Sequence, residues 1–367
     1  MPNTANPASK SSVTTVPIVG RLAPSPTGVL HVGNARSLVA AWLSARSTGG
    51  KVLLRIEDLL PGQPEKVATT LEDLAYLGLT WDDPPEDRSS RTVADFDVGA
   101  DRWGRAELPG FWLQSARGPA YEELSHALIA AGMAYPCVCT RKDIERALRA
   151  PHREEKGRAY PGTCRGRFTD LADAVRWEGA LASRLGRRPV GAALRMRVGR
   201  EPKRFEDLML GPQAIDVASD SGDFVIRRKD GLHAYMLAVV VDDIAMGVTE
   251  VVRGEDLLES TPRQALLLDD HYFERPSWAH VPLVTDAKGK RFAKRKDSLS
   301  LAALASGGLD PEVLVGWLAS TFGPAVEEPL GGPRRAADLI EGFDLSRLPL
   351  SSVPFGLESR KALGLER

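Results

Sequence analysis

Arg21-Leu22-Ala23-Pro24-Ser25-Pro26-Thr27-Gly28-Val29-Leu30-His31-Val32-Gly33-Asn34-Ala35-Arg36 is the stretch on which the reading of this chain turns. Its first half is crowded with Pro and Gly, the composition of a loop. Upstream, Val16 to Arg21 (VPIVGR) predicts a short buried strand. Downstream, His31 to Arg46 predicts a helix, with Leu38, Trp42 and Ala45 spaced to share one buried face. Ser47-Thr48-Gly49-Gly50 ends it. Lys51 to Ile56 (KVLLRI) predicts a second strand, with Glu57-Asp58 at its carboxyl end. Strand, loop, helix and strand in this order make a βαβ unit, from which parallel sheets are built. Ligands of such open sheets bind at the carboxyl ends of the strands. Small loop residues let the backbone approach a ligand closely, and the helix amides then face it. His31 in the first turn adds a donor that can become cationic as phosphate charge builds. Taken alone, the same pattern also fits a glycine turn with a structural histidine.

The chain has 367 residues, enough for two or three units with buried cores. Lys and Arg number 48 against 49 Asp and Glu, a net charge of −1. A polycation is excluded, and any nucleic-acid contact must use a local patch. Hydrophobic residues at 43% and aromatic residues at 6% are ordinary for a globular enzyme. No apolar run approaches the ~20 residues that cross a bilayer. Residues 1–15 lack the apolar centre of a secretory signal and read as a disordered polar tail. The three cysteines all fall between Cys137 and Cys164, which points to a reducing compartment and to metal rather than disulfides.

Further on, 64–78 predicts a helix, 83–110 is irregular, and Tyr121 to Ala131 predicts another helix. Between 141 and 210, 18 basic side chains face 10 acidic ones. Strand-like sequence returns at Gly222 to Arg227 and at Tyr235 to Val241. The latter (YMLAVVV) lacks polar alternation, as expected of a strand covered on both faces, and Asp242-Asp243 close it. Val248 to Val252 predicts one more strand, ending in Arg253-Gly254. Lys288 to Lys296 holds six Lys or Arg in nine positions, and the remainder reads as helices with Gly and Pro breaks. The expectation is an α/β protein whose parallel sheet is split by an insertion. Residues 1–15 form the tail, 16–110 the first half-sheet, 111–220 the insertion, 221–285 the second half-sheet, and 286–367 a mobile loop with a short helical unit.

Four segments then agree on a family. The loop quoted above resembles the nucleotide-binding loop of class I aminoacyl-tRNA synthetases of the glutamyl/glutaminyl group, with HVGN where that class carries its HIGH motif. Leu54-Arg55-Ile56-Glu57-Asp58 matches the group's RIED strand end. Val239 to Asp243, Val251 to Leu258 and Ser260 to Gln264 match its second half-sheet. Arg291-Phe292-Ala293-Lys294-Arg295 stands where the family has its KMSKS-type mobile loop. The resemblance implies a Rossmann-like catalytic domain that joins an amino acid to AMP, pyrophosphate leaving. It implies His31 and Lys294 as catalytic groups, with Thr27, His31, Gly33, Asn34 and Lys294 on ATP. Arg21, Ala23, Ser25, Glu57, Tyr235 and Arg253 fall on glutamate-binding positions. Arg offers a two-pronged match to a carboxylate, and Glu57 suits an α-ammonium. An internal ion pair of Arg253 with Glu255 or Asp256 is the competing reading of that arginine, and a solvated surface charge is that of Lys294.

Three thiolates in one loop-rich segment, Cys137, Cys139 and Cys164, suit tetrahedral Zn²⁺ and leave a fourth ligand open. His152 is the chemical default; the resemblance points to Tyr160, through a C-x-C … Y-x-x-x-C arrangement. Mg²⁺ is expected with ATP. Leu60 replaces an acidic residue usual after RIED, and Ala293 a serine usual in the mobile loop. Leu309 to Ala319 and Phe343 to Phe355 resemble the family's next helical unit, and only 73 residues follow Lys294, too few for the usual anticodon-binding domains. A chain of this outline is similar to the glutamyl-Q tRNA(Asp) synthetase family. That resemblance implies glutamate activation without tRNA and transfer to queuosine at the wobble position of tRNA(Asp). The partners expected are ATP, L-glutamate and that anticodon loop, for a cytoplasmic monomer with no membrane contact. A short glutamyl-tRNA synthetase charging the 3′ end of tRNA(Glu), or a non-catalytic glutamate- or ATP-binding paralogue, are the alternatives.

Overall fold

The split sheet is present. A computed structural model describes residues 17–26, 29–60, 62–87, 90–91, 109–148, 159–269, 274–290, 299–327 and 332–365. The expected tail 1–15, Thr27, His152 and Lys294 lie outside the described residues.

Strand β1 (Val19–Leu22) leads through the Pro-rich loop into α1 (Val32–Ser47), and the chain returns as β2 (Lys51–Ile56), parallel to β1 with Arg21 opposite Leu53. Helix α2 (Pro64–Tyr76) follows, then β3 (Ser90–Arg91) and β4 (Phe111–Leu113). These strands form one sheet in the order β1-β2-β4-β3. Next come α3 (Gly118–Ala130), β5 (Ala134–Cys137), α4 (Arg141–Leu148), α5 (Leu171–Arg184), β6 (Ala193–Met196), β7 (Lys203–Asp207), β8 (Gly211–Ile215), α6 (Val217–Asp220) and β9 (Val225–Arg227). Helix α7 (Tyr235–Met246), β10 (Glu250–Gly254), α8 (Thr261–Asp269), β11 (Ser277–Val281) and β12 (Val284–Asp286) complete the second half. The C-terminal unit holds α9 (Leu301–Ser306), α10 (Pro311–Ser320), β13 (Val353–Phe355) and α11 (Leu357–Ala362).

The second sheet runs β10-β11-β7-β8, with β10, β11 and β7 parallel. It meets the first along β1 and β10, where the Thr249 amide donates to the Val19 carbonyl at 2.9 Å. The switch point of the sheet therefore lies between β1 and β10, where crevices open in such folds. The unit boundaries expected at 110/111 and 220/221 do not follow sheet membership. β4, β7 and β8 join the catalytic sheets, whereas β9 pairs antiparallel with β6, which pairs with β5.

One expectation is corrected outright. Tyr235 to Val241 is not a strand but the start of α7, which ends on Gly247 in the left-handed region at φ 68°. The valine run favours a strand by propensity, but a continuous apolar run has no period to separate the two states. Burial all along α7 decides it, with Leu237, Ala238, Val239, Val240 and Met246 each at 3% exposure or less. As a result Asp242 and Asp243 sit on a helix, and Tyr235 sits at its first turn.

The C-terminal unit is docked on α1. Fully buried Arg36 donates to the Pro282 carbonyl at 2.6 Å and to Thr321 Oγ1 at 3.0 Å, and its guanidinium lies over the Phe322 ring. Burial lowers its pKa to about 10. Among the described residues, no helix is long and apolar enough to cross a membrane.

Candidate active site

The parallel pairing of β1, β2 and β10 brings their polar ends together. Arg21 on β1 is 6% exposed, and Arg253 on β10 is 5% exposed. Arg21 Nη1 donates to the Val252 carbonyl at 3.1 Å, and its Nε lies 3.9 Å from Asp243 Oδ1. Glu57, just past β2, is buried; its Oε2 accepts from Ser25 Oγ at 3.2 Å, and its amide donates to the Pro24 carbonyl at 3.0 Å. Tyr235 is half-buried and close enough to respond to Glu57, Arg253, Arg21 and Arg55. Burial first, then Glu57, push its hydroxyl up to about 12. Five of the six expected glutamate positions thus converge by side chain. The sixth, Ala23, is half-buried in the loop directly after β1.

Two expected charges behave unusually. Burial raises the Glu57 carboxyl above its ordinary range, against the pull of Arg55 and Arg21. Burial lowers Arg253, and Arg21 adds to that effect. Each of the two arginines keeps a buried nitrogen with no hydrogen-bond partner among the described residues: Nε of Arg21 and Nη1 of Arg253. Unpaired buried donors are costly, and an anion entering here relieves the cost. Arg253 donates to His280 Nε2 at 3.1 Å, Thr261 Oγ1 at 2.8 Å and the Leu257 carbonyl at 3.4 Å.

A network that sequence reasoning left without a role supports these groups. Arg55, fully buried in β2, donates to Asp243 Oδ1 at 2.6 Å and to Glu57 Oε1 at 3.2 Å, and lies 3.8 Å from Asp242. Asp242 accepts from Arg117 Nε at 2.5 Å, Gln114 at 2.9 Å and Tyr121 at 2.8 Å. Removing Arg55 alone takes the shared cation from the buried carboxylates of Glu57 and Asp243, a change of about 3–5 kcal/mol. The signal was present in the sequence: Arg55 and Glu57 are two apart at the end of β2, the spacing of one strand face.

On the other side of the loop, His31 is the N-cap of α1. Its Nδ1 accepts from the Gly33 amide at 3.1 Å, and Asn34 Oδ1 accepts from the His31 amide at 3.2 Å. An accepting Nδ1 places the neutral ring's proton on Nε2, which leaves a donor. A Cβ on Gly33 would stand 3.0 Å from the His31 ring, so glycine is what lets the imidazole fold over the helix start.

The cysteines also meet. The sulfurs of Cys137, Cys139 and Cys164 lie within 4.8 Å of one another, and the Tyr160 hydroxyl sits 3.3 Å from Cys137 Sγ and 3.4 Å from Cys139 Sγ. A tetrahedral zinc with Zn–S of about 2.3 Å requires ligand separations near 3.8 Å, so the donor set and its size fit. The cluster can hold a metal ion. Hydrogen bonds from Cys139 and Cys164, with Arg195 nearby, pull the Cys137 thiol well below its usual range, whereas the neighbouring sulfurs raise Cys139. The first thiolate forms readily and the next is opposed, a repulsion that a dication removes. Gly222, at φ 64°, is required behind Tyr160, since a Cβ there would stand 2.6 Å from the Tyr160 carbonyl oxygen.

Comparison with known proteins places the chain in a family. The family described as tRNA synthetases class I (E and Q), catalytic domain, matches residues 17–328. The glutamyl-Q tRNA(Asp) synthetase of Nitratidesulfovibrio vulgaris is 42% identical, covering 91% of this chain and 95% of its own length. That of Symbiobacterium thermophilum is 40% identical, covering 94% of this chain and 98% of its own. Among solved structures, a glutamate tRNA ligase from Elizabethkingia meningosepticum in complex with its amino acid superimposes with a TM-score of 0.70 over 94% of this chain and 68% of that one. At 22% identity that likeness establishes the fold alone. Identity near 40% over nearly the full length of both partners, on a split sheet of this topology, carries further: the chain belongs to the glutamyl-Q tRNA(Asp) synthetase family, ligase-type enzymes of the class I glutamyl/glutaminyl group.

Proposed function

We propose that the protein activates L-glutamate with ATP in the absence of tRNA, and transfers the glutamyl group to queuosine at the wobble position of tRNA(Asp). The observation that carries this reading is the pair of buried guanidinium groups, Arg21 and Arg253, in electrostatic reach of Glu57 and Tyr235, with Arg253 Nη1 left without a hydrogen-bond partner among the described residues. A side-chain carboxylate completes both arginines. The α-ammonium pairs with Glu57, and its charge restores the ionised form that burial disfavours. Ser25 and Tyr235 supply hydroxyls, and the Ala23 backbone lies alongside.

So held, the substrate α-carboxylate attacks the α-phosphorus of ATP. The new O–P bond forms as the bond to pyrophosphate breaks, which leaves glutamyl-adenylate. The protein's part is alignment and neutralisation of charge. His31 Nε2–H and the N-terminus of α1, with Gly33 and Asn34 in its first turn, face the phosphates in this scheme. Thr27 joins them, and Lys294 meets the departing pyrophosphate. Mg²⁺ accompanies ATP and neutralises phosphate charge. A structural Zn²⁺ is assigned to Cys137, Cys139, Cys164 and Tyr160, where it stiffens the insertion against the tRNA. The basic insertion supplies phosphate contacts, and the need for ATP and tRNA assigns the enzyme to the cytoplasm.

Two assays test the proposal in order. Glutamate-dependent ATP–pyrophosphate exchange without tRNA is expected; its absence from zinc-loaded, folded protein favours a non-catalytic paralogue. Labelled glutamate is then offered with queuosine-containing tRNA(Asp) or with tRNA(Glu). Stable charging of tRNA(Glu) would reject the acceptor proposed here.

A further inference from the structure

Arg253 keeps Nη1 bare among the described residues, while its other donors are held by residues other than the expected glutamate positions. Its neighbour across the sheet, in register on β11, is His280. His280, Asp207 and Thr261 are each 1% exposed or less. Asp207 Oδ2 accepts from His280 Nδ1 at 2.5 Å, and Asp207 Oδ1 accepts from the amides of Met209 and Leu210 at 3.0 Å and of His280 at 3.3 Å. Those donors keep Asp207 ionised. The pattern assigns the His280 proton to Nδ1 and leaves Nε2 as an acceptor. Nε2 accepts from Arg253 Nε at 3.1 Å and from the Thr261 hydroxyl at 3.1 Å, while Thr261 Oγ1 accepts from Arg253 Nη2 at 2.8 Å. The guanidinium is thus gripped along one edge, and Nη1 alone is left unpartnered among the described residues.

We propose that Asp207, His280 and Thr261 form a positioning relay that fixes the Arg253 guanidinium for the substrate's side-chain carboxylate, which makes His280 a specificity-determining residue outside the pocket. The inference rests on the glutamate-activating reading above. A protonated His280 could not play this part, because it has no acceptor and would face Arg253 charge to charge; burial and Arg253 both hold its pKa below the ordinary range. A planar guanidinium matches a carboxylate only when its plane and edge are set. Preorganisation of this kind governs affinity and selectivity rather than the chemical step.

The test measures exchange kinetics of the wild-type chain and of His280→Ala, His280→Gln and Thr261→Val, with glutamate, glutamine and ATP varied. His280→Ala is expected to raise KM for glutamate about tenfold or more and to reduce the preference for glutamate over glutamine by a similar factor, with KM for ATP unchanged. His280→Gln, whose amide oxygen can accept from Arg253, is expected to recover most of the loss. Thr261→Val is expected to move the same two quantities less, and it carries the test if His280→Ala does not fold. Wild-type glutamate KM and selectivity in the variants overturn the proposal. So does a loss that falls equally on glutamate and ATP and that glutamine does not recover. A wild-type chain without glutamate-dependent exchange removes the underlying reading, and the relay with it; an active wild type with indifferent variants removes the relay alone.

Discussion

The pocket around Glu57 and the cluster around Tyr160 are both knots of buried polar groups, and they are built on opposite principles. In the pocket every ionised side chain has an opposite charge or a carbonyl within reach. Arg55 bridges Glu57 and Asp243, Arg21 reaches Val252, and Arg253 rests on His280. What remains is a small surplus of buried donors. In the cluster three sulfurs and a phenol crowd together, with the Arg195 guanidinium donating to Cys137 at 3.3 Å and stacked 3.8 Å over the Tyr160 ring. The pocket balances most of its own charges and keeps buried donors to spare. The cluster gathers donors that can hold a metal ion. The difference is between charges balanced within the fold and donors gathered without a matching cation among them.

The largest expected effect tests the pocket. Arg21→Ala removes one of the two cations proposed to face the substrate carboxylate, while β1 keeps its ladder with β2. The kcat/KM for glutamate in pyrophosphate exchange is expected to fall by about 100-fold or more. Undiminished exchange would break the assignment of the pocket. The next effect tests the cluster. Atomic absorption is expected to find one zinc per chain, and a chelator is expected to lower the thermal midpoint by about 5 °C or more. Transfer to tRNA is expected to fail in the stripped protein while exchange without tRNA persists. Parallel loss of both activities would dissolve the separation of roles.

The smallest effect belongs to a carboxyl outside both regions, which serves as their control. Asp73 on α2 is 3% exposed, and its Oδ2 has no partner among the described residues. Burial raises its pKa to about 7, against the Leu30 amide, which favours the charged form. A folded pKa above the unfolded one means that the associated stability is full below the unfolded value and is lost as pH rises through about 7. Asp73→Asn does not titrate. Its stability relative to wild type is therefore expected to improve by about 2 kcal/mol between pH 5 and pH 8, read from denaturant midpoints. A difference independent of pH would mean that burial without a cation is harmless here, and that the pairing in the pocket matters less than argued.

Much of this was legible in the residues. The Pro-rich loop between β1 and α1 reads as a ligand turn because Gly and Pro punctuate locally. Glu57 reads as a strand-end group because it follows an apolar run. The cysteines announce by their clustering a group that can hold a metal ion. Other features were not legible, for reasons that are also physical. The run from Tyr235 to Val241 has no polar period, so helix and strand could not be told apart without knowing what surrounds it. The relay of Asp207, His280 and Arg253 joins β7, β11 and β10, strands that only sheet pairing makes neighbours. His280 alone in the strand SWAHV carries no local sign of its partners.

By itself the order of residues determined the βαβ start, the interruption of the sheet, the family and the chemical types present at the strand ends, because these depend on composition and on spacing along the chain. The tertiary structure decided which nitrogen of each arginine stays bare, which side chains hold the others, and that the tyrosine hydroxyl reaches the sulfurs. Those outcomes depend on contacts between residues distant in sequence, formed where burial makes an unpaired charge too costly to leave alone.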